Sequence, residues 1–375
     1  MRNFTNGMYR PHMMRPAPRL PSRFPAIVAA SLAIAVAGLA VPACAQGVKI
    51  QRLGGGRYMT EMVRQISARG LSQLSLTGPS NLGGNITVIA RPTDSVRMEM
   101  VKIFKAPSEE MAAAWEQEIT FDLSPSGSIL QVEVRTRRGA PWEGTNWSAR
   151  VELTVTVPFN WDLDIKARFF EFDLAGPFSS ASVHTEFGRV KLEKVAKRTD
   201  VTGSYTGIEL ADVRGEITAR TSYADLEVSG AIPAADKAAR LENSFGPITV
   251  REFAGAIDAE TRNAPISLSE VVLVGSGSSL RGANAPIEAE ILEFGDAQLE
   301  IRNGNAPVTL KVPRSVSARL NLSVGGGGLI HTDGLTIQTR VDLLRTGHLE
   351  GVCGSGQGLI DIDVTGFGQI ELAGK

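Results

Sequence analysis

Four histidines and two cysteines in 375 residues leave this chain almost without side chains that bind metals or act as thiol nucleophiles. Aromatic residues are equally scarce, at 6%, with only four Trp. The cysteine count excludes a disulfide-stapled scaffold, and if the chain is cut after Ala45 only Cys353 remains, with no internal disulfide and no cysteine-based metal site. There is no basic excess: subtracting the five Arg of the first 45 residues from 39 basic residues leaves 34 against 40 acidic, a net of about −6. Such a surface does not attract a phosphate backbone, which argues against a nucleic-acid partner. Long apolar runs are also missing. Ala26 to Val41 spans 16 residues, short of the roughly 20 that cross a bilayer, and no later stretch is long and apolar enough.

That short run sits in an export signal. Arg2, Arg10, Arg15, Arg19 and Arg23 form a basic segment without Asp or Glu, and Ala43-Cys44-Ala45 is a small-x-small cleavage site. Cys44 leaves two outcomes open. Val41-Pro42-Ala43-Cys44 resembles a lipoprotein box, which would lipidate Cys44, although Pro42 fits it poorly; Ala45 followed by Gln46 suits ordinary signal peptidase. The expected organisation is a signal peptide at 1–45, a linker or short helix at 46–70, an N-terminal β region at 71–175 and repeats over 176–375. Within it, 57–69 and 107–118 read as short helices.

What the chain does have is glycine, at 39 residues, and a repeat. Asn-Ala-Pro occurs at 263–265, 284–286 and 305–307, each time followed by Ile or Val. Taking that residue as position zero, Val190, Ile208, Leu226, Ile248, Ile266, Ile287, Val308 and Leu329 fall in register, 18 to 22 residues apart. Two residues later come Leu192, Leu210, Val228, Val250, Leu268, Ala289 and Leu310, and by the same count His331 falls at this apolar place. Seven earlier come Val183, Val201, Ala219, Leu241, Ala259, Leu280, Ile301 and Leu322. Five later, Val195, Val213, Phe253, Val271 and Leu292 make a third apolar column. Alternation around these columns is the period of a strand with one buried face, and a period near 20 without helical spacing predicts an all-β fold, a β-solenoid.

The tripeptide is then a corner. Proline's fixed φ suits a turn where no ladder donor is wanted. Three before zero, Phe187, Tyr205, Tyr223 and Phe245 give way to Asn263, Asn284 and Asn305. Coils stacked about 4.8 Å apart would set like on like, an aromatic stack running into an asparagine ladder. Six before zero lies a charged column in which Arg220 would meet Glu242, and Arg281 would meet Glu260. The final GQGLIDIDVTGFGQIEL reads as the last coils, with Asp361 and Asp363 on a shared, solvated face.

The strand, Val-Pro, strand segments TVTVPFNWDLDI and TLKVPRSVSARL, with coils such as EFGRVKL, SYADLEV, SFGPITV and GFGQIEL, resemble the bacterial putative-adhesin family over roughly residues 71–373. The resemblance implies an exported single-stranded β-helix in the cell envelope and transfers no binding residue. This chain departs from the family pattern in its Trp-bearing stretch near 138–147.

Enzymatic chemistry on a β-helix wants carboxylates converging on one face. Asp212, Asp225, Asp258, Asp296 and Asp333 fall at different places in their coils. The glycine runs at 53–56 and 324–328 lack a following Lys-Ser or Lys-Thr helix. No catalytic residue, cofactor or metal is expected. The candidate ligand contacts are Trp142 and Trp147, which exposure would let stack on a sugar or an apolar partner, and burial would make end caps. The expected function is a non-enzymatic binding, adhesion-like or scaffolding surface of the periplasm or cell surface, its partner an envelope protein or glycan. The alternatives are a polysaccharide-active enzyme and an envelope sensor or assembly partner.

Overall fold

The computed structural model describes residues 49–275, 277–343 and 347–375. The protein is all-β; among the described residues one α-helix occurs, Glu109–Glu116. Cys44 and the export segment lie outside the described residues.

Successive coils pair in parallel and in register through the middle of the chain. Phe172, Val190, Ile208, Leu226, Ile248, Ile266, Ile287 and Val308 follow one another as Cα partners. A second row runs Val183, Val201, Ala219, Leu241, Ala259, Leu280 and Ile301. All of these are buried, so the core is a column of stacked apolar side chains, aliphatic after Phe172. Burial of that kind contributes about 1.5–3 kcal/mol per large side chain, and each layer draws it from its two neighbours.

A left-handed residue turns the chain four places after zero: Lys194, Asp212, Gly230, Glu252 and Glu270 all have φ between 51 and 63°. The next coil has no such residue, so Ile291 rather than Leu292 pairs with Val271. Leu292, expected in the third apolar column, is 45% exposed.

At both ends the chain departs from simple winding. Gly83–Arg91 lies between Ser148–Pro158 and Phe169–His184, so the earlier coil is the inner one. Likewise Gly358–Val364 lies between Gln298–Asn303 and Ala318–Val324, and Ile370–Gly374 between Val308–Val312 and Ile330–Asp333. GQGLIDIDVTGFGQIEL is therefore an interior layer, not the outermost one. Val308 pairs with Ile370, and Ile370 with Ile330, which displaces Leu329 from the repeat; Leu329 is 46% exposed. His331 moves with it to an outward, exposed position opposite Glu371.

Antiparallel strands cover the outer layers. Ser95–Lys105 pairs with Ser148–Pro158, Ile119–Ser126 with Ile129–Thr136, and His348–Cys353 with Ala318–Val324. Covering an edge removes a template for unwanted strand pairing. Arg57–Ser67, part of the expected linker or helix, is a strand on Ser95–Lys105. Its Met, Gln, Glu and Arg content favours helix locally, but eleven paired positions against a neighbouring strand override that preference. Cys353 is buried in the C-terminal cover, and burial pushes its thiol pKa up. We expect folded protein to resist a thiol-alkylating reagent at neutral pH and to react promptly once denatured; prompt native labelling would mean that this cover opens.

Candidate functional site

The buried polar side chains five before zero are hydrogen-bonded from within the corner. Thr185, Thr221, Asn243, Thr261 and Asn303 occupy one column, five before zero, and all are buried. Thr221 Oγ1 donates to the Thr206 carbonyl at 2.7 Å, and Asn243 Nδ2 to the Ala224 carbonyl at 2.7 Å. Asn303 Nδ2 reaches the carbonyls of Ala285 and Ala306, both at 3.0 Å. These bonds close the turn without help from the surface column beside it.

That surface column, three before zero, changes chemistry along the stack. Phe169, Phe187, Tyr205, Tyr223 and Phe245 stack with ring centroids 5.0, 5.2, 4.6 and 4.8 Å apart and planes within 12° of parallel. Arg168 lies over the outer face of Phe169 at 5.1 Å. The column then continues as amides: Asn284 Nδ2 donates to Asn263 Oδ1 at 3.0 Å, and Asn305 Nδ2 to Asn284 Oδ1 at 3.1 Å. Phe169 sits just before the first repeat read from sequence; the signal that finds it is Phe172 as a further zero position. Because Asn284 both donates and accepts, Asn284→Ala should cost about 1 kcal/mol, read as a shift of the denaturation midpoint. No change would make the ladder incidental.

The aromatic run is exposed: Phe169 40%, Tyr205 50%, Tyr223 51% and Phe245 49%. Beside it lies a shallow groove of about 390 Å³, lined by Gly188, Arg189, Gly207, Glu209, Asp225 and Glu227 among others. The groove exists because Gly207 has no side chain between Arg189, its Cα partner in the preceding coil, and Asp225 in the next.

Trp142 and Trp147, the candidate contacts, part company. Trp142 is 6% exposed and meets Trp115 edge to face at 5.9 Å, which makes it part of the cover and removes it as a ligand contact. Trp147 is 36% exposed. The loop carrying both is tied down: Asn81 Nδ2 donates to the Arg137 carbonyl at 2.9 Å and to Glu143 Oε1 at 2.5 Å. The Asn81 amide holds the Glu143 carboxyl below its ordinary range.

The remaining charged candidates serve the stack. Arg220 pairs with Glu242 at 3.0 Å, but Arg281 goes to Asp258 at 3.1 Å rather than to Glu260. Asp361 is not at a solvated edge. It accepts from Arg302 Nη2 at 2.6 Å on one side and from Asn321 Nδ2 at 2.9 Å on the other, which clamps the interleaved coil to both neighbours. This contact raises the Arg302 pKa, chiefly through the Asp361 hydrogen bond. Asp225 lines the groove, and Asp212 sits at a left-handed corner. His348 Nε2 lies 3.2 Å from Glu350. Among the described residues, no group of three or more His, Cys, Asp or Glu is placed to hold a metal ion. None of the described helices is long and apolar enough to cross a membrane.

Comparison with known proteins adds names to this architecture. No family model and no curated protein matches the chain. Solved structures do. The crystal structure of a putative cell adhesion protein from Clostridium sporogenes is 10% identical, with 84% of this chain and 100% of that chain covered and a TM-score of 0.25. A putative adhesin from Parabacteroides merdae is 9% identical, over 83% of this chain and 95% of that one, with a TM-score of 0.29. One from Bacteroides fragilis is 8% identical, over 83% and 96%, with a TM-score of 0.22. These structural neighbours are named adhesins.

Proposed function

We propose that this chain is an exported cell-envelope protein that works as a non-enzymatic binding, adhesion-like or scaffolding surface. The observation that carries this reading is the row of five stacked aromatic rings, four of them 40–51% exposed. Large apolar side chains kept in water, aligned on a rigid frame, mark a contact surface. Aromatic contacts lose little side-chain entropy on binding, and here the rings are already fixed by their neighbours. The names of the structural neighbours agree with an adhesion role. The proposed partner is an envelope glycan or envelope protein, and the proposed organisation keeps residues 1–45 as a removable signal, with Cys44 as the alternative lipidation point. Trp147 stays a secondary contact.

The test is co-sedimentation of the purified protein with the envelope fraction of its own producer. Saturable binding is expected, and it should fall when Phe187, Tyr205 and Tyr223 are all changed to Asn, the residue the same column carries further along. Failure of the unmodified protein to sediment would overturn the reading. Mass spectrometry of the mature N-terminus decides between a lipidated Cys44 and a chain starting at Gln46.

A further inference from the structure

Two columns change chemistry together, and that coincidence is unexplained by the fold. Where the corner column carries Asn263, Asn284 and Asn305, the position two residues on, one before zero, carries Pro265, Pro286 and Pro307. Where the corner carries Phe169, Phe187, Tyr205 and Tyr223, that same position carries Glu171, Arg189, Gly207 and Asp225; only the coil of Phe245 combines the aromatic ring with a proline, Pro247. Both versions build the same turn in the same parallel register. The turn is closed from inside in both, by Thr221 and Asn243 in one segment and by Asn303 in the other. Exposed aromatics and charged neighbours are thus not a requirement of the corner. The Asn-Pro coils show the structural minimum, and the aromatic coils add something to it.

What they add is a polar groove flanked by an apolar ridge. The ridge is Phe187, Tyr205 and Tyr223, of which Phe187 and Tyr223 directly precede the lining residues Gly188 and Ala224. Tyr205 and Tyr223 are about half exposed, so the ridge leaves aromatic surface uncovered although its rings stack on one another. The floor and far side offer Arg189 as a donor and Glu209, Asp225 and Glu227 as acceptors. The groove crosses three successive coils and therefore runs along the stacking axis.

We infer that this groove binds a neutral, extended β-linked glycan lying along the stack, one sugar ring to each coil. The inference rests on the reading of the protein as an envelope binding surface and names the ligand class for it. Sugar rings have apolar C–H faces that pack on aromatic surface, while their hydroxyls donate to carboxylates and accept from Arg. Three carboxylates against one guanidinium disfavour an acidic polysaccharide, because like charges across an interface are costly. A straight groove favours an extended chain over a coiled one. A flat protein partner would span the notch at Gly207 and leave it unfilled, whereas a thin chain can enter it.

Gly207 supplies the decisive variant. It does not have a left-handed φ, and an added Cβ there would meet only Arg189 atoms, at 3.9 and 4.0 Å. Gly207→Gln therefore fills the groove without disturbing the coil. Tyr205→Asn removes the middle of the flanking ridge with a residue this column already accepts. The experiment is calorimetric titration of the whole mature chain with cellohexaose, chitohexaose and a hexamer of galacturonic acid, alongside envelope co-sedimentation. One of the two neutral hexasaccharides should bind and compete with the envelope fraction, and each variant should weaken it by roughly tenfold or more at an unchanged melting temperature. Equal binding by Gly207→Gln, preference for the acidic hexamer, or no hexasaccharide binding by a protein that still sediments with envelope would each overturn the inference and leave the broader reading standing. No binding to the envelope fraction and to no hexasaccharide would overturn both.

Discussion

Lys102→Ala is expected to lower stability by about 3–5 kcal/mol, the cost of stranding the partners of a buried cation. Lys102 is 7% exposed in a strand of the N-terminal cover. Its Nζ donates to Glu116 Oε1 at 2.6 Å and to the carbonyls of Glu116 and Ile119 at 3.1 and 2.7 Å. The Glu116 carbonyl lies at the C-terminal end of the Glu109–Glu116 helix, where unsatisfied acceptors and the helix dipole favour a cation, and the Ile119 carbonyl opens the strand that follows. One ammonium group thus fastens the helix to the strand beneath it. Lys102→Met, which fills the volume without the charge, should recover little, because the loss comes from the orphaned carboxylate and carbonyls. Urea denaturation followed by Trp fluorescence reads the effect directly, since Trp115 lies in that helix and packs on Trp142. A change below about 1 kcal/mol would show that water replaces the ammonium at no great cost.

Gly84→Ala should be as damaging and more local. Gly84 has φ +154°, and a Cβ there would lie 1.7 Å from the Val151 carbonyl oxygen. That atom belongs to the outer strand Ser148–Pro158, against which Gly83–Arg91 is inserted. The added methyl forces the two strands apart at the start of their pairing, at an expected cost of about 4 kcal/mol. In a stack each layer is coupled mainly to its neighbours, so the damage should stay at one end. Hydrogen exchange should show protection lost over 83–91 and 148–158 while the coils beyond Phe187 keep theirs. Uniform loss along the chain would instead make the stack a single cooperative unit.

The middle of this stack was legible because its repeat is written in two columns at once. A buried aliphatic at zero and another seven residues earlier fix the register, and a slip of one residue would turn every side chain to the wrong face. The Asn ladder could be read for the same reason: identical residues at one place in successive coils must meet. The ends were not legible, since strand interleaving leaves no periodic mark. Ile330 and Leu329 are both aliphatic, and only the layer order, with Ile370 between Val308 and Ile330, decides which is inside. Asp361 looked like a solvated edge residue because nothing in its own segment places Arg302 and Asn321 on either side. Trp142 stayed undecided for a different reason. A turn-rich stretch allows either a contact or an end cap, and the residue that ties it down, Asn81, is over fifty residues away in sequence. The groove at Gly207 needs three coils laid side by side before the missing side chain becomes a space.

The interleaved layers also set an order of assembly that differs from the order of synthesis. Residues 318–333 are made before 358–374, yet in the folded chain they have no direct pairing with 298–312 and reach it only through the later segment. A growing chain therefore carries an outer layer with nothing to rest on until the inner layer arrives to bridge the gap. The mirror situation holds near the start, where 73–91 waits for 129–158. Loss of the 358–374 segment would remove a middle storey rather than the roof, leaving two unpaired edges facing each other across an empty layer.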